Sequence, residues 1–216
     1  MPKPQKQKPL LSIATIALLV FLPHYWPLPF FSYAPVLVVL MIWVLRRQNE
    51  TLADIGFRFS DFSWKIIPVG LAIAVCWSAV YHFLIQPFLT HILKIQDADI
   101  SAFDFIKHHI FNYVFILMMA WIIGGWYEEI VFRGFLQQKI GNLFGRNKHS
   151  FLISASITSA IFGLYHIQQG FAGIIHATLF AVITSILLYK FKGNMWYGII
   201  FHACYDTIGL TLIYLS

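Results

Sequence analysis

Charged side chains are scarce in this sequence of 216 residues: they make up 11% of the chain, whereas hydrophobic side chains make up 59%. A soluble globular domain usually carries about 25% charged residues. The polar side chains are too few to cover a protein surface that faces water, so most of the surface of this protein must face lipid. The net charge of +6 comes from short basic clusters between apolar runs, without a long basic stripe. We therefore expect membrane lipid rather than nucleic acid as a partner.

The sequence also lacks the signatures of several hydrolase classes. It contains no H-E-x-x-H zinc helix and no G-x-S-x-G nucleophile elbow. No pair of aspartates falls on two neighbouring apolar runs. The two cysteines, Cys76 and Cys204, lie in apolar runs and have the spacing of neither metal ligands nor a disulfide framework. We interpret them as small packing residues.

Long apolar runs predict an all-α fold, a polytopic membrane helical bundle with about seven transmembrane helices. A spanning helix needs about 20 mostly apolar residues. Residues 1–9 form a basic tail, and residues 10–216 form a single transmembrane domain. No small-residue cleavage site follows the first apolar run, so we expect it to be retained. The candidate spans are residues 9–25, 29–45, 66–89, 110–127, 150–167, 171–189 and 195–215.

Lysine and arginine are distributed unevenly between the two sides of this predicted bundle. With seven crossings and the amino terminus inside, the outer segments hold Lys94 and Lys107, and the other 13 of the 15 basic residues are inside. Because cytoplasmic loops are enriched in basic residues, we expect a cytoplasmic amino terminus. The expected location is a bacterial plasma membrane. The inner segment 46–65 is interpreted equally well as an interfacial segment or as a connecting loop.

Three groups of ionisable residues fall inside predicted helices, where a central charge costs about 2.5–3.5 kcal/mol. The first group contains Glu128, Glu129 and Arg133. Glu129 and Arg133 are four positions apart and can pair on one helix face. Glu128 is turned by about 100° from Glu129 and is therefore left for proton transfer. The alternative is that both carboxylates lie at the water interface near the end of the fourth helix.

The other two groups are His166, near the end of the fifth span, and the pair His202 and Asp206 in the last span. Glu128 and His166 each lie 19 residues from position 147, the centre of a predicted hairpin (147 − 128 and 166 − 147), and hence at similar depth. A carboxylate and two imidazoles could activate water and stabilise an oxyanion. The same set, Glu128, His166 and His202, could instead hold zinc. A plainer interpretation of the His202–Asp206 pair is a buried contact between helices.

These residues, in this order, resemble the CPBP family, the CAAX prenyl endopeptidase and bacteriocin-processing group of membrane proteases. The resemblance rests on E-E-x-x-x-R at residues 128–133, F-x-x-x-H at 162–166 and H-x-x-x-N/D at 202–206. It implies an all-helical membrane protease with a protease-like core at about 110–216. The resemblance implies that Glu128 and His166 activate the water and that Glu129 and Arg133 support the motif helix. It implies that His202 and Asp206 stabilise the oxyanion.

The resemblance also implies a peptide or protein substrate that is membrane-associated or lipidated. Family members have been described both as metalloproteases and as metal-independent glutamate proteases. We expect no cofactor, with zinc as the alternative. The prenyl-protein branch has Asn where this chain has Asp206, and an ionised Asp donates no hydrogen bond. His176, in the sixth span, is interpreted as a packing or gating residue only.

Two functions besides an intramembrane peptidase stay open from the sequence. One is a non-catalytic member of the same fold that acts as a bacteriocin-immunity or scaffold protein. The other is a transporter that uses the same intramembrane charges. Transporters often show inverted repeats with broken helices, and the sequence shows no such repeat.

Overall fold

The computed structural model describes residues 9–25, 31–145 and 147–216, and every regular element in them is helical. The predicted all-α fold is confirmed. Residues 1–8 of the predicted basic tail and the start of the second predicted span lie outside the described residues. The α-helices are α1 (Pro9–Tyr25), α2 (Tyr33–Arg47), α3 (Ile66–Val80), α4 (Ile110–Met119), α5 (Gln137–Leu143), α6 (Lys148–Tyr165), α7 (Gly170–Lys190) and α8 (Trp196–Leu215).

Four helical stretches of the described residues are long and apolar enough to cross a membrane. Large hydrophobic side chains are exposed along them, as expected for surfaces that face lipid rather than water. The protein is therefore a membrane protein with several apolar helices, and the count of about seven crossings stays a prediction. The four stretches are Ile66–Ile92, Ile110–Leu143, Ile167–Lys190 and Trp196–Leu215.

The helix that carries the first polar motif is longer than the predicted span 110–127, because it continues to Leu143. Between α4 and α5, the segment Ala120–Leu136 is π-helical over 17 residues. A π-helix bonds each N–H to the carbonyl five residues back, and such turns usually occur singly and often at functional sites. We call Ala120–Leu136 the π segment. It contains the whole first motif, so the α-helical rotation assumed for Glu128 does not describe this stretch.

The predicted hairpin forms between α5 and α6, and its cap is Asn147. The Asn147 side chain accepts a hydrogen bond from the Ser150 N–H at 2.9 Å, and the Ser150 hydroxyl accepts one from the Asn147 N–H at 2.8 Å. This reciprocal capping box satisfies two N–H groups at the start of α6. From there α6 runs antiparallel to α5 and the end of the π segment, which brings the second motif alongside the first.

α8 lies at the centre of the bundle and contacts α3, α7 and the π segment. Phe201 and Ala203 on this helix are fully buried. The contact with the π segment is close, since a Cβ added at Gly125 would lie 3.0 Å from the Ala203 Cβ. The third motif, residues 202–206, is therefore held against the first.

The segment after α2 is folded onto the bundle instead of being a plain loop. The Trp196 indole donates to the Arg58 carbonyl at 2.8 Å, and Phe57 packs on Trp196 with ring centroids 5.4 Å apart. Phe59 and Trp64 nevertheless remain 74% and 77% exposed. Exposed aromatic side chains of this kind are typical of a membrane interface. The interfacial interpretation of residues 46–65 stays a prediction.

Candidate functional site

The two glutamates of the first motif are buried in the π segment. Glu128 is 8% exposed and Glu129 is 1% exposed. Both reach towards α8, where their carboxylate oxygens lie within 4.0 Å of the His202 ring nitrogens. Both carboxylates are therefore enclosed by protein side chains.

His202 is the residue at which the acidic side chains meet. Its Nδ1 lies 2.9 Å from Glu129 Oε1. Its Nε2 lies 4.0 Å from Glu128 Oε2 and 3.7 Å from Asp206 Oδ2. The first distance is that of a direct hydrogen bond, whereas the other two exceed hydrogen-bond length. The two nitrogens of one imidazole therefore face different carboxylates.

Glu129 is shared between two partners. Its Oε2 lies 3.3 Å from Arg133 Nε, and its Oε1 accepts the hydrogen bond from His202. Arg133 Nε also donates to the Thr184 hydroxyl at 2.6 Å, which ties the pair to α7. The four-residue spacing predicted the contact with Arg133. It carried no information about His202, which lies 73 positions further along the chain.

Gly124 belongs to this cluster, although the motifs did not point to it. A Cβ added there would lie 2.4 Å from Asp206 Oδ2 and 3.4 Å from His202 Nε2. No side chain other than hydrogen fits against this carboxylate without displacing it. The only available signal was the adjacent pair Gly124 and Gly125 just before the glutamates, because paired small residues often mark close helix contacts in membranes.

His166 lies directly after the last residue of α6 and is half-buried. Its Nδ1 lies 2.9 Å from the Phe162 carbonyl oxygen. A carbonyl only accepts, so Nδ1 carries a proton, and in the neutral ring Nε2 is then the acceptor. The Phe162 ring lies 4.7 Å from the His166 ring and 6.2 Å from the His202 ring, between centroids. Phe162 thus links both imidazoles, and direct contact of His166 with Glu128 stays a prediction.

His176 is part of an aromatic contact beside the site. The Tyr205 hydroxyl lies 2.7 Å from His176 Nε2, and the Tyr81 ring centroid lies 4.1 Å from that of His176. Tyr205 directly precedes Asp206, so this contact restrains α8 next to the acidic cluster. The arrangement is consistent with the packing role expected for His176.

The zinc alternative requires three protein ligands that converge on one ion. Among residues 9–25, 31–145 and 147–216, no group of three or more His, Cys, Asp or Glu side chains is arranged to hold a metal ion. A catalytic zinc normally takes three protein ligands at about 2.0–2.2 Å. Glu128, His166 and His202 do not provide this set in the present arrangement.

The comparison with protein families covers the segment that carries all three motifs. Residues 110–208 match the family described as Type II CAAX prenyl endopeptidase Rce1-like. The match contains the acidic pair, both histidines and Asp206, and it confirms the resemblance to the CPBP family over this segment. At the level of the family it supports a membrane-embedded peptidase. No curated protein and no solved structure shows a significant match to the chain.

Proposed function

We propose that this protein, a CPBP-family chain over residues 110–208, is a peptidase whose catalytic site lies within the membrane. Its substrate is a peptide bond of a membrane-associated or lipidated peptide or protein. The proposed catalytic residues are Glu128, His166, His202 and Asp206, supported by Glu129 and Arg133.

One observation carries this proposal: the split environment of His202. Its Nδ1 is bonded to Glu129, while its Nε2 faces Glu128 and Asp206 at 4.0 and 3.7 Å. A simple ion pair within α8 would bring His202 and Asp206 into direct hydrogen-bond contact. Instead, the buried Glu128 carboxyl and the half-buried Asp206 carboxyl both face Nε2 beyond direct hydrogen-bond distance, which leaves this nitrogen free to donate to a reacting oxygen.

In the proposed reaction, Glu128 accepts a proton from a water molecule, and His166 Nε2 accepts a hydrogen bond from the same water. The water oxygen attacks the carbonyl carbon of the scissile peptide bond. Glu128 then returns the proton to the peptide nitrogen as the C–N bond breaks, giving a carboxyl and an amino product. Glu128 thus acts first as a general base and then as a general acid.

The negative oxygen formed during attack is stabilised by His202 in this proposal. Glu129 accepts a hydrogen bond from Nδ1–H, so an imidazolium that keeps both of its N–H protons is stabilised, and Nε2–H is available as a donor. Asp206 lies on the same side of the ring, and in its protonated form it donates a second hydrogen bond. Gly124 leaves the space that the Asp206 carboxyl occupies.

The test is cleavage of a peptide library by the purified protein in lipid nanodiscs, with prenylated and unprenylated members. We expect cleavage by the parent protein and by Asp104→Asn, which removes an exposed carboxylate, and none by Glu128→Gln. Equal cleavage by Glu128→Gln would reject Glu128 as the base. No cleavage of any member by a folded parent protein would favour the non-catalytic immunity or scaffold function.

We call the end of the bundle with Arg46, Arg47, Lys139 and Lys148 its basic end. We also propose that the basic end of the bundle faces the cytoplasm, which puts residues 46–65 inside and residues 93–109 outside. The test uses single cysteines in a background without Cys76 and Cys204. An impermeant maleimide applied to intact cells should label Ser101→Cys and not Ser63→Cys. Both positions are exposed on the protein, so a difference in labelling reports the side of the membrane. The reverse labelling would invert the orientation.

A further inference from the structure

A group of buried polar side chains lies beside the candidate site, where the π segment and α5 pack on α6 and α7. We call it the polar layer. None of its members is part of the proposed reaction, and each is at most 2% exposed. The polar layer consists of Arg133, Gln137, Thr158, Ser159, Thr184 and Ser185.

The polar layer has more hydrogen-bonding capacity than the protein uses. Arg133 Nε donates to Thr184 at 2.6 Å, and the Ser185 hydroxyl donates to Gln137 Oε1 at 3.1 Å. Within the described part of the chain, five buried atoms of the layer have no partner. They are Arg133 Nη1 and Nη2, Gln137 Nε2, Thr158 Oγ1 and Ser159 Oγ.

The unpartnered atoms lie on facing sides of one helix contact. The Arg133 guanidinium lies 4.4 Å from the Phe162 ring centroid. Further along, a Cβ at Gly141 would lie 3.3 Å from the Ser154 hydroxyl. Gln137 lies halfway between Arg133 and Gly141, and Thr158 lies halfway between Ser154 and Phe162. Because the two helices are antiparallel, Gln137 and Thr158 are expected opposite each other. Arg133, Gln137 and Thr158 therefore follow the contact between the long helix that contains the π segment and α6, and Ser159 directly follows Thr158 in the chain.

Water is the ligand that fits these groups. Buried polar atoms without protein partners are usually bonded to internal water, which forms about three hydrogen bonds. The Phe162 ring attracts the guanidinium charge but has no lone pair for its N–H groups. An anion is disfavoured because Arg133 is already paired with Glu129 at 3.3 Å, and a second buried negative charge would lack a partner.

The polar layer lies between the candidate site at His202 and the polar start of α6. On one side, Arg133 leads through Glu129 to His202. On the other, Ser154 and the Asn147–Ser150 cap continue along α6 to its start at the basic end of the bundle. From Phe162 to Ser150 the helix rises about 18 Å. Ser150, Ser154 and Thr158 are buried along this stretch, so the polar side chains of the route lie inside the bundle.

We propose that the polar layer binds a chain of buried water molecules that leads from the basic end of the bundle to the Glu128–His202 site. Its role in supplying water rests on the proposed peptidase function, because hydrolysis consumes one water for each peptide bond. The binding of water does not depend on that function.

The first test is the sign of a stability change. A hydroxyl bonded to water loses that bond when it is removed, so Thr158→Val and Ser159→Ala should each lower Tm by about 2–4 °C. A dry, unpartnered hydroxyl would give the opposite sign, since its removal ends a desolvation cost. The matched control is Ser156→Ala on the exposed face of α6. An unchanged or higher Tm for both buried variants would overturn the proposal.

The second test is an experimental structure in lipid nanodiscs at a resolution that shows ordered water. We expect water oxygens about 2.7–3.2 Å from the Arg133 Nη atoms, Gln137 Nε2 and Thr158 Oγ1. Side chains packed dry against these atoms, or an anion in their place, would overturn the proposal.

The third test concerns supply. The double variant Thr158→Val/Ser159→Ala should lower kcat several-fold with KM unchanged, while Ser156→Ala keeps the parent rate. Bound water with an unchanged kcat would reject the supply role alone. If the parent protein cleaves nothing, the peptidase proposal fails, and the stability and structural tests still decide whether the polar layer binds water.

Discussion

Glu129 Oε1 lies 2.9 Å from His202 Nδ1, although the two residues are 73 positions apart in the chain. The other oxygen of Glu129 lies 3.3 Å from Arg133 Nε. One buried carboxylate therefore neutralises the motif arginine and also orients the imidazole on α8. Glu129 is thus a positioning residue for His202 as well as a support for the π segment.

Glu129→Gln should weaken both roles, and kcat of the folded protein reports on the role towards His202. Glutamine keeps the size of the side chain but loses the charge that stabilises a protonated His202. We expect kcat to fall by about 10- to 100-fold, with KM close to that of the parent protein. The measurement is steady-state cleavage by protein that elutes as a single folded species. An unchanged kcat would limit Glu129 to structural support.

Arg133→Ala should lower the amount of folded protein. The change leaves Glu129 buried beside His202 without its guanidinium, and loss of one partner of a buried pair typically costs about 3–5 kcal/mol. The measurement is membrane abundance and thermal stability, compared with Arg58→Ala at an exposed position. Normal abundance combined with lost activity would show instead that Arg133 acts on the substrate.

Gly124→Ala should impair the site without unfolding the bundle. The new Cβ would lie 2.4 Å from Asp206 Oδ2, so the carboxyl must move away from His202. We expect a loss of kcat. Gly209→Ala on α8 is the control, because a Cβ there meets nothing within 4 Å and should stabilise the helix by about 0.5–1 kcal/mol. Parent-like cleavage by Gly124→Ala would mean that the position of Asp206 is not critical.

Asp206→Asn and Asp206→Ala test what the last motif residue contributes. An asparagine amide can donate a hydrogen bond to the negative oxygen, as a protonated aspartate does, whereas alanine cannot. We expect Asp206→Asn to keep most of the activity and Asp206→Ala to lose about 100-fold or more, the usual cost of one oxyanion donor. Equal loss in both variants would indicate that Asp206 acts through its negative charge.

The metal requirement has its own test. We predict that active, purified protein contains no stoichiometric zinc and keeps its activity during titration with a chelator. The expectation follows from a Glu–His pair that activates water directly. Zinc at one equivalent, with activity lost on chelation and restored by metal, would make Glu128 a ligand and not a base.

Local patterns along the chain were sufficient for several features. Apolar runs of about 20 residues predicted the helices, since backbone groups in lipid must bond within their own segment. The capping residues at Asn147 and Ser150 fit the predicted hairpin. The four-residue spacing of Glu129 and Arg133 predicted their contact because such neighbours share a helix face. Each of these depends only on residues a few positions apart.

Other features depended on how the helices pack. The bond between Glu129 and His202, the contact of Gly124 with Asp206 and the π-helical course of Ala120–Leu136 have no counterpart in local periodicity. They arise because α8 lies against the π segment at a distance set by small residues on both surfaces. Which carboxylate meets which nitrogen is thus decided by interhelical packing, whereas the sequence alone could specify only that these ionisable groups must be buried together.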